Sequence, residues 1–119
     1  MRIKSIIVTL SLLCFPLSGF AKETLNKDQL SEIFTNKTIE WQHLSQNMYG
    51  KTYYAADGVV MGTYNGEKRK GKWHISENEI CVSWGCCAKI ESDGSGNYYK
   101  SNSYTRVIRI KIIGDGNLL

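Results

Sequence analysis

From residue 38 onward the chain changes sides at almost every step. Thr38, Glu40 and Gln42 alternate with Ile39 and Trp41. Lys51-Thr52-Tyr53-Tyr54-Ala55 runs to Asp57-Gly58, and Val59-Val60-Met61-Gly62-Thr63-Tyr64 runs to Asn65-Gly66. Lys72-Trp73-His74-Ile75, Ile80-Cys81-Val82-Ser83-Trp84, Cys86-Cys87-Ala88-Lys89-Ile90 and the stretch from Tyr104 to Ile113 continue the theme. A period of two puts successive side chains on opposite faces of a strand, and Asp-Gly and Asn-Gly supply the positive φ angles of tight hairpins. The spacing predicts about seven or eight short antiparallel strands, one every ten residues or so. In a single chain of 119 residues, such a meander has to close into a small barrel or fold into a two-layer sandwich before it can bury a face.

One segment has a helical period instead. Leu25, Leu30, Ile33 and Phe34 recur at the spacing of a helix face, Asn26 is a good N-cap with Gln29 as its capping-box partner, and Asn36 is a good stop. The pattern predicts one helix near 25–35, covering an open end or face of the sheet. Residues 22–119 read as a single β-rich domain, with no linker or repeat.

Met1 to Ala21 has the three parts of a secretory signal peptide: Arg2 and Lys4, the apolar run Ile6 to Leu17, and small residues at Gly19 and Ala21. The expectation is cleavage before Lys22 and a periplasmic or secreted product. The apolar run is too short to span ~30 Å of hydrocarbon, so no stable membrane anchor is expected. Cleavage removes Pro16, the one proline, and Cys14, leaving Cys81, Cys86 and Cys87.

The whole chain carries 15 Lys+Arg against 11 Asp+Glu, a net charge of +4, and the signal peptide takes two of those cations with it. So mild a balance gives no basis for nucleic-acid binding. The cluster Lys68-Arg69-Lys70 with Lys72, bracketed by Gly66 and Gly71, reads as a solvated hairpin tip. No dinucleotide-binding glycine fingerprint, phosphate-binding loop or HExxH helix occurs, and no cofactor is expected.

Three cysteines within one hairpin of an exported chain point to oxidation. Cys81 ends one predicted strand, and Cys86 and Cys87 begin the next. Because side chains alternate, only one of the latter pair can share a face with Cys81. A three-residue turn pairs Cys81 with Cys87 and a four-residue loop pairs it with Cys86; the first is favoured. The spare thiol permits a monomer or a disulfide-linked dimer. A thiol or metal site at Cys81, Cys86, Cys87 and His74 is the sharper alternative, since such soft ligands suit Zn²⁺ or Cu⁺. Neither His43 nor His74 has an orienting acid or amide in view, and Glu77, Glu79, Glu91 and Asp93 form no recognisable acid–base pair. A non-catalytic protein is expected.

The order of the segments Asn36-Lys37-Thr38-Ile39, Tyr54-Ala55-Ala56-Asp57-Gly58, Gly71-Lys72-Trp73-His74-Ile75 and Ile80-Cys81-Val82-Ser83-Trp84, followed by a further cysteine, resembles the bacterial exported family known as domain of unknown function 995. The resemblance runs from about Leu30 to Ile113. It implies a small lipocalin-like β architecture and brings no established activity. This chain departs from the family in its short connection between the cysteines and in having two adjacent ones.

Tyr and Trp provide large contact area at low entropic cost. The rings of Tyr53, Tyr98, Tyr99 and Trp84 are therefore candidate binding groups for a small ligand or an extracytoplasmic protein. The segment Gly94-Ser95-Gly96-Asn97-Tyr98-Tyr99 also resembles the Ser-Gly-x-x-Tyr motif of periplasmic inhibitors of C-type lysozyme, matching at Ser95, Gly96 and Tyr99. That likeness implies an alternative role, hydrolase inhibition through the 94–99 loop. The favoured expectation is an exported barrel-like binding protein.

Overall fold

The computed structural model describes residues 23–101 and 106–119. The signal peptide expected over 1–21 and Tyr104 lie outside the described residues, as does the side chain of Arg106. Within them the chain forms one helix and one curled antiparallel sheet. The elements are β1 (Glu23–Thr24), α1 (Lys27–Phe34), β2 (Lys37–His43), β3 (Tyr49–Tyr54), β4 (Val59–Tyr64), β5 (Glu67–Ser76), β6 (Glu79–Val82), β7 (Ile90–Ser92), β8 (Asn97–Ser101) and β9 (Arg106–Asp115).

The helix starts where its cap dictates. The Asn26 side chain accepts from the backbone N–H of Gln29, and the Gln29 side chain accepts from the Asn26 N–H, the reciprocal capping box. Asn36 then turns the chain with φ 62°, a left-handed conformation that Asn tolerates well. Leu30 and Phe34 are fully buried, so the apolar stripe of α1 faces the sheet.

The sheet order is β1-β7-β8-β9-β2-β3-β4-β5-β6. It is two meanders, β2 to β6 and β7 to β9, joined where β9 lies against β2 with a bulge between Thr38 and Ile39. At Thr38 the hydroxyl is buried and satisfied: it donates to the Gly116 carbonyl at 2.5 Å and accepts the Leu118 N–H at 2.9 Å. The curl is drawn together at its far ends by an isolated bridge between Ile80 and Ala88, with both backbone hydrogen bonds at 2.9 Å. Ala88 is two residues short of β7, so this bridge brings β6 up to the strand pair at the opposite edge of the sheet. The result is a barrel-like half-shell with α1 packed against β2, β5 and β6 at one end.

Two sequence expectations need correction. No strand begins at Cys86; the next strand starts at Ile90, because Ser83-Trp84-Gly85 leaves the ladder and only Ala88 pairs with β6. Nor is the basic cluster a hairpin tip. The tip is Asn65-Gly66, with φ of 52° and 82°, the two positive values of a tight hairpin turn. Lys68 to Lys72 therefore run along β5.

Register fixes which residues point inward. Ile39 and Trp41 of β2 share a face with Thr52 and Tyr54 of β3, Val60 and Gly62 of β4, Arg69, Gly71 and Trp73 of β5, Tyr98 and Lys100 of β8, and Ile108 and Ile110 of β9. At the helix end these positions form an aromatic floor. Phe34 meets Tyr54 and Tyr98 edge-on at 5.7 and 5.8 Å, and Tyr54 meets Trp73 at 5.1 Å, the T-shaped contacts such rings favour. The Trp73 indole N–H donates to the Ala55 carbonyl at 2.8 Å, tying β5 to the hairpin at Asp57-Gly58.

Candidate functional site

Above that floor, at the end of the barrel away from α1, lies an open cavity of about 350 Å³. That is within the usual size of small-molecule sites, and so is its lining, apolar with a few convergent polar groups. Ile39, Val82, Ile108 and Ile110 form the apolar wall, Tyr54 the base, and Trp41, Tyr64 and Trp84 the aromatic rim. Trp41 and Tyr64 lie 5.9 Å apart with their planes tilted by 31°.

Glycines make room for both indoles. A Cβ on Gly50 would stand 2.9 Å from Trp41 Cζ2 and collide with the Thr63 carbonyl. A Cβ on Gly62 would stand 3.4 Å from Trp84 Cζ2, and one on Gly71 would stand 3.1 Å from Trp84 Cε3 and overlap the Ser83 hydroxyl. Trp84 itself belongs to no strand. It is carried back into the barrel by a loop stapled at its base: Cys81 and Cys87 are joined by a disulfide, Ser83 N–H donates to the Lys72 carbonyl, and Lys72 N–H donates to Ser83 Oγ at 3.1 Å. The Arg69 guanidinium lies over the same indole, 5.2 Å from the ring centroid.

The cations on this wall are Lys51, Lys68, Arg69 and Lys100, and the carboxylate is Glu67. By register, Arg69 and Lys100 occupy inward positions, whereas Lys51 and Lys68 belong to the outer face. Burial in the floor pushes the Tyr54 hydroxyl up from 10.0 to about 12, so the base of the cavity stays uncharged into alkaline conditions where an exposed tyrosine would ionise.

Of the residues singled out in the sequence, Trp84 is the one that lines this cavity. Tyr98 is spent on the floor against Phe34. Tyr53 faces outward, where its hydroxyl donates to Asn36 Oδ1 at 2.8 Å. Ser95 and Gly96 are exposed in the turn between β7 and β8, which Asp93 pins by accepting from Ser95 N–H at 2.8 Å. Tyr99 is on the outer face of β8, opposite Glu91 and Arg109. The binding candidates thus divide among the cavity, the core and two outer surfaces.

The Cys81–Cys87 pairing is the one favoured on the expectation of a three-residue turn, and Cys86 is the exposed free thiol. His74 is exposed and opposite Cys81 in register. With two of the three thiols in a disulfide, no group of three His, Cys, Asp or Glu side chains gathers among the described residues. The His43 ring nitrogen Nδ1 accepts from Ser45 N–H at 3.3 Å. No helix among the described residues is long and apolar enough to cross a membrane.

Trp41 and Tyr64 stood out in the sequence only as members of a general set of aromatic rings, and Arg69 and Lys100 were not among the binding candidates. The signal was there for Arg69: counting in twos from the core residue Trp73 through Gly71 lands on it. No family model, curated protein or solved structure matches the chain.

Proposed function

We propose that this is an exported, non-catalytic binding protein that takes a small, largely apolar ligand into the mouth of the barrel. The carrying observation is the cavity of about 350 Å³ in which two indoles are held on a glycine bed above an aromatic floor. Side chains that merely filled space would leave no such volume, because protein interiors close-pack. The disulfide supports export, since such bonds persist in oxidising compartments.

The test is titration with N-phenyl-1-naphthylamine, a neutral apolar fluorophore, read by its emission and by energy transfer from tryptophan. Saturable binding at one site per chain is expected. Trp84→Ala should weaken it at least tenfold, and Tyr49→Ala, at an exposed residue outside the cavity, should leave it unchanged. Folded protein that binds no probe, or binds it equally well without Trp84, would remove the support for this reading.

A further inference from the structure

We propose that the ligand of the barrel mouth is an amphiphile with an anionic head, carboxylate in type, whose apolar body lies along Ile108, Ile110 and Val82. This rests on the mouth being a ligand site, as proposed above, and names the ligand's chemistry.

Arg69 and Lys100 carry the inference. Both occupy inward positions, on β5 and β8, and both line the cavity. Among the described residues neither has a carboxylate within ion-pairing distance; the ion pair found there joins Lys37 to Asp115 at 2.9 Å, outside the cavity. Glu67 is the one acidic side chain on the wall and shares the inward face of β5 with Arg69, so two inward cations stand against one inward carboxylate. Arg69 is exposed, with its guanidinium carbon over the Trp84 ring, 5.2 Å from the centroid. A guanidinium's fork of N–H groups matches a carboxylate with two parallel hydrogen bonds. A cation at the lip of an apolar cavity asks for a molecule with its charge at one end. A cationic or uniformly polar ligand would leave either the apolar wall or the two cations unmatched.

Two probes with one body separate charge from apolarity. 8-Anilino-1-naphthalenesulfonate is N-phenyl-1-naphthylamine with a sulfonate added. At low salt the anionic probe should bind at least tenfold tighter than the neutral one, with the gap narrowing as salt rises. Arg69→Gln should remove most of the preference and leave the neutral probe within about twofold, whereas Arg69→Lys should keep part of it. Lys100→Gln is the second variant, should Arg69→Gln unfold the mouth as judged by its melting temperature. Laurate should displace either probe, and dodecyltrimethylammonium at the same concentration, below micelle formation, should not. Equal affinity for both probes, or an equal loss for both in Arg69→Gln, would overturn the anionic head and leave the ligand site standing. Failure of the neutral probe to bind would overturn the site itself.

Discussion

Gly71 of β5 and Trp84 of the stapled loop are in such close register that a methyl group on one meets the ring of the other: a Cβ at Gly71 would stand 3.1 Å from Trp84 Cε3 and overlap the Ser83 hydroxyl. Ser83 is also hydrogen-bonded to Lys72, so it has little freedom to yield. Gly71→Ala should therefore cost ~1–3 kcal/mol, the usual range for overpacking, and shift tryptophan emission to the red as Trp84 is lifted from its bed. Gly85→Ala is the control. A Cβ there meets only Val82 Cγ2 at an ordinary 3.5 Å, and both stability and emission should hold. Urea unfolding followed by fluorescence reads both quantities.

Trp73 locks the floor by a different bond. Its indole N–H reaches the Ala55 carbonyl at 2.8 Å, and its ring meets Tyr54 edge-on at 5.1 Å. Trp73→Phe keeps much of the ring contact and leaves that carbonyl with the Gly58 N–H, at 3.1 Å, as its remaining donor. The expected loss is ~0.5–1.5 kcal/mol, the net worth of one hydrogen bond, seen as a lower urea midpoint with an unchanged slope. The same bond links the segment around Asp57-Gly58 with the one around Gly71-Lys72-Trp73.

What the sequence disclosed and what it hid divide along one line. The capping box at Asn26 and Gln29 and the Asn65-Gly66 turn depend on neighbours in the chain, and both were legible. The Cys81–Cys87 bond was legible as a pair, since alternation allowed only one of Cys86 and Cys87 to face Cys81, although the strand expected to start at Cys86 does not form. The pairing of β9 with β2 was not, since it joins segments about seventy residues apart with no local signal. Trp84 was named as a binding ring, but what seats it was hidden for a related reason. Its place in the barrel depends on glycines of β4 and β5, which in sequence are only missing side chains. Arg69 was lost in a basic run that reads as one solvated patch, whereas the pleat turns Arg69 inward and Lys68 and Lys70 outward.

Tyr54 should give the protein a sharp alkaline limit. Burial raises its hydroxyl from 10.0 to about 12, so the folded state holds the proton more tightly than the unfolded chain does. The associated stability is fully present below pH 10 and is lost as pH climbs toward 12. Two pH units correspond to roughly 3 kcal/mol. Tyr54→Phe should flatten the stability curve over that window, leaving the shallower slope contributed by lysines. Unfolding midpoints at pH 8, 10 and 11.5 for both proteins test this; parallel curves would mean that the Tyr54 proton is not linked to folding.

The Cys81–Cys87 bond closes a loop of only a few residues, and that loop holds Trp84 over Gly62 and Gly71. Chain entropy alone assigns so short a loop ~2 kcal/mol. Its greater effect should fall on the ligand site, because freeing the base of the loop lets Trp84 leave the mouth and uncovers the face on which Arg69 stacks. Reduction, or the double variant Cys81→Ser with Cys87→Ser, should lower the melting temperature by several degrees and weaken N-phenyl-1-naphthylamine binding at least fivefold. Cys86 is outside the staple and exposed. Cys86→Ser should leave both quantities unchanged, and alkylation of the native protein followed by peptide mass mapping should mark Cys86 and spare Cys81 and Cys87. A reduced protein that melts lower yet binds the probe at full strength would separate the disulfide from the site, making it a brace for β6 alone.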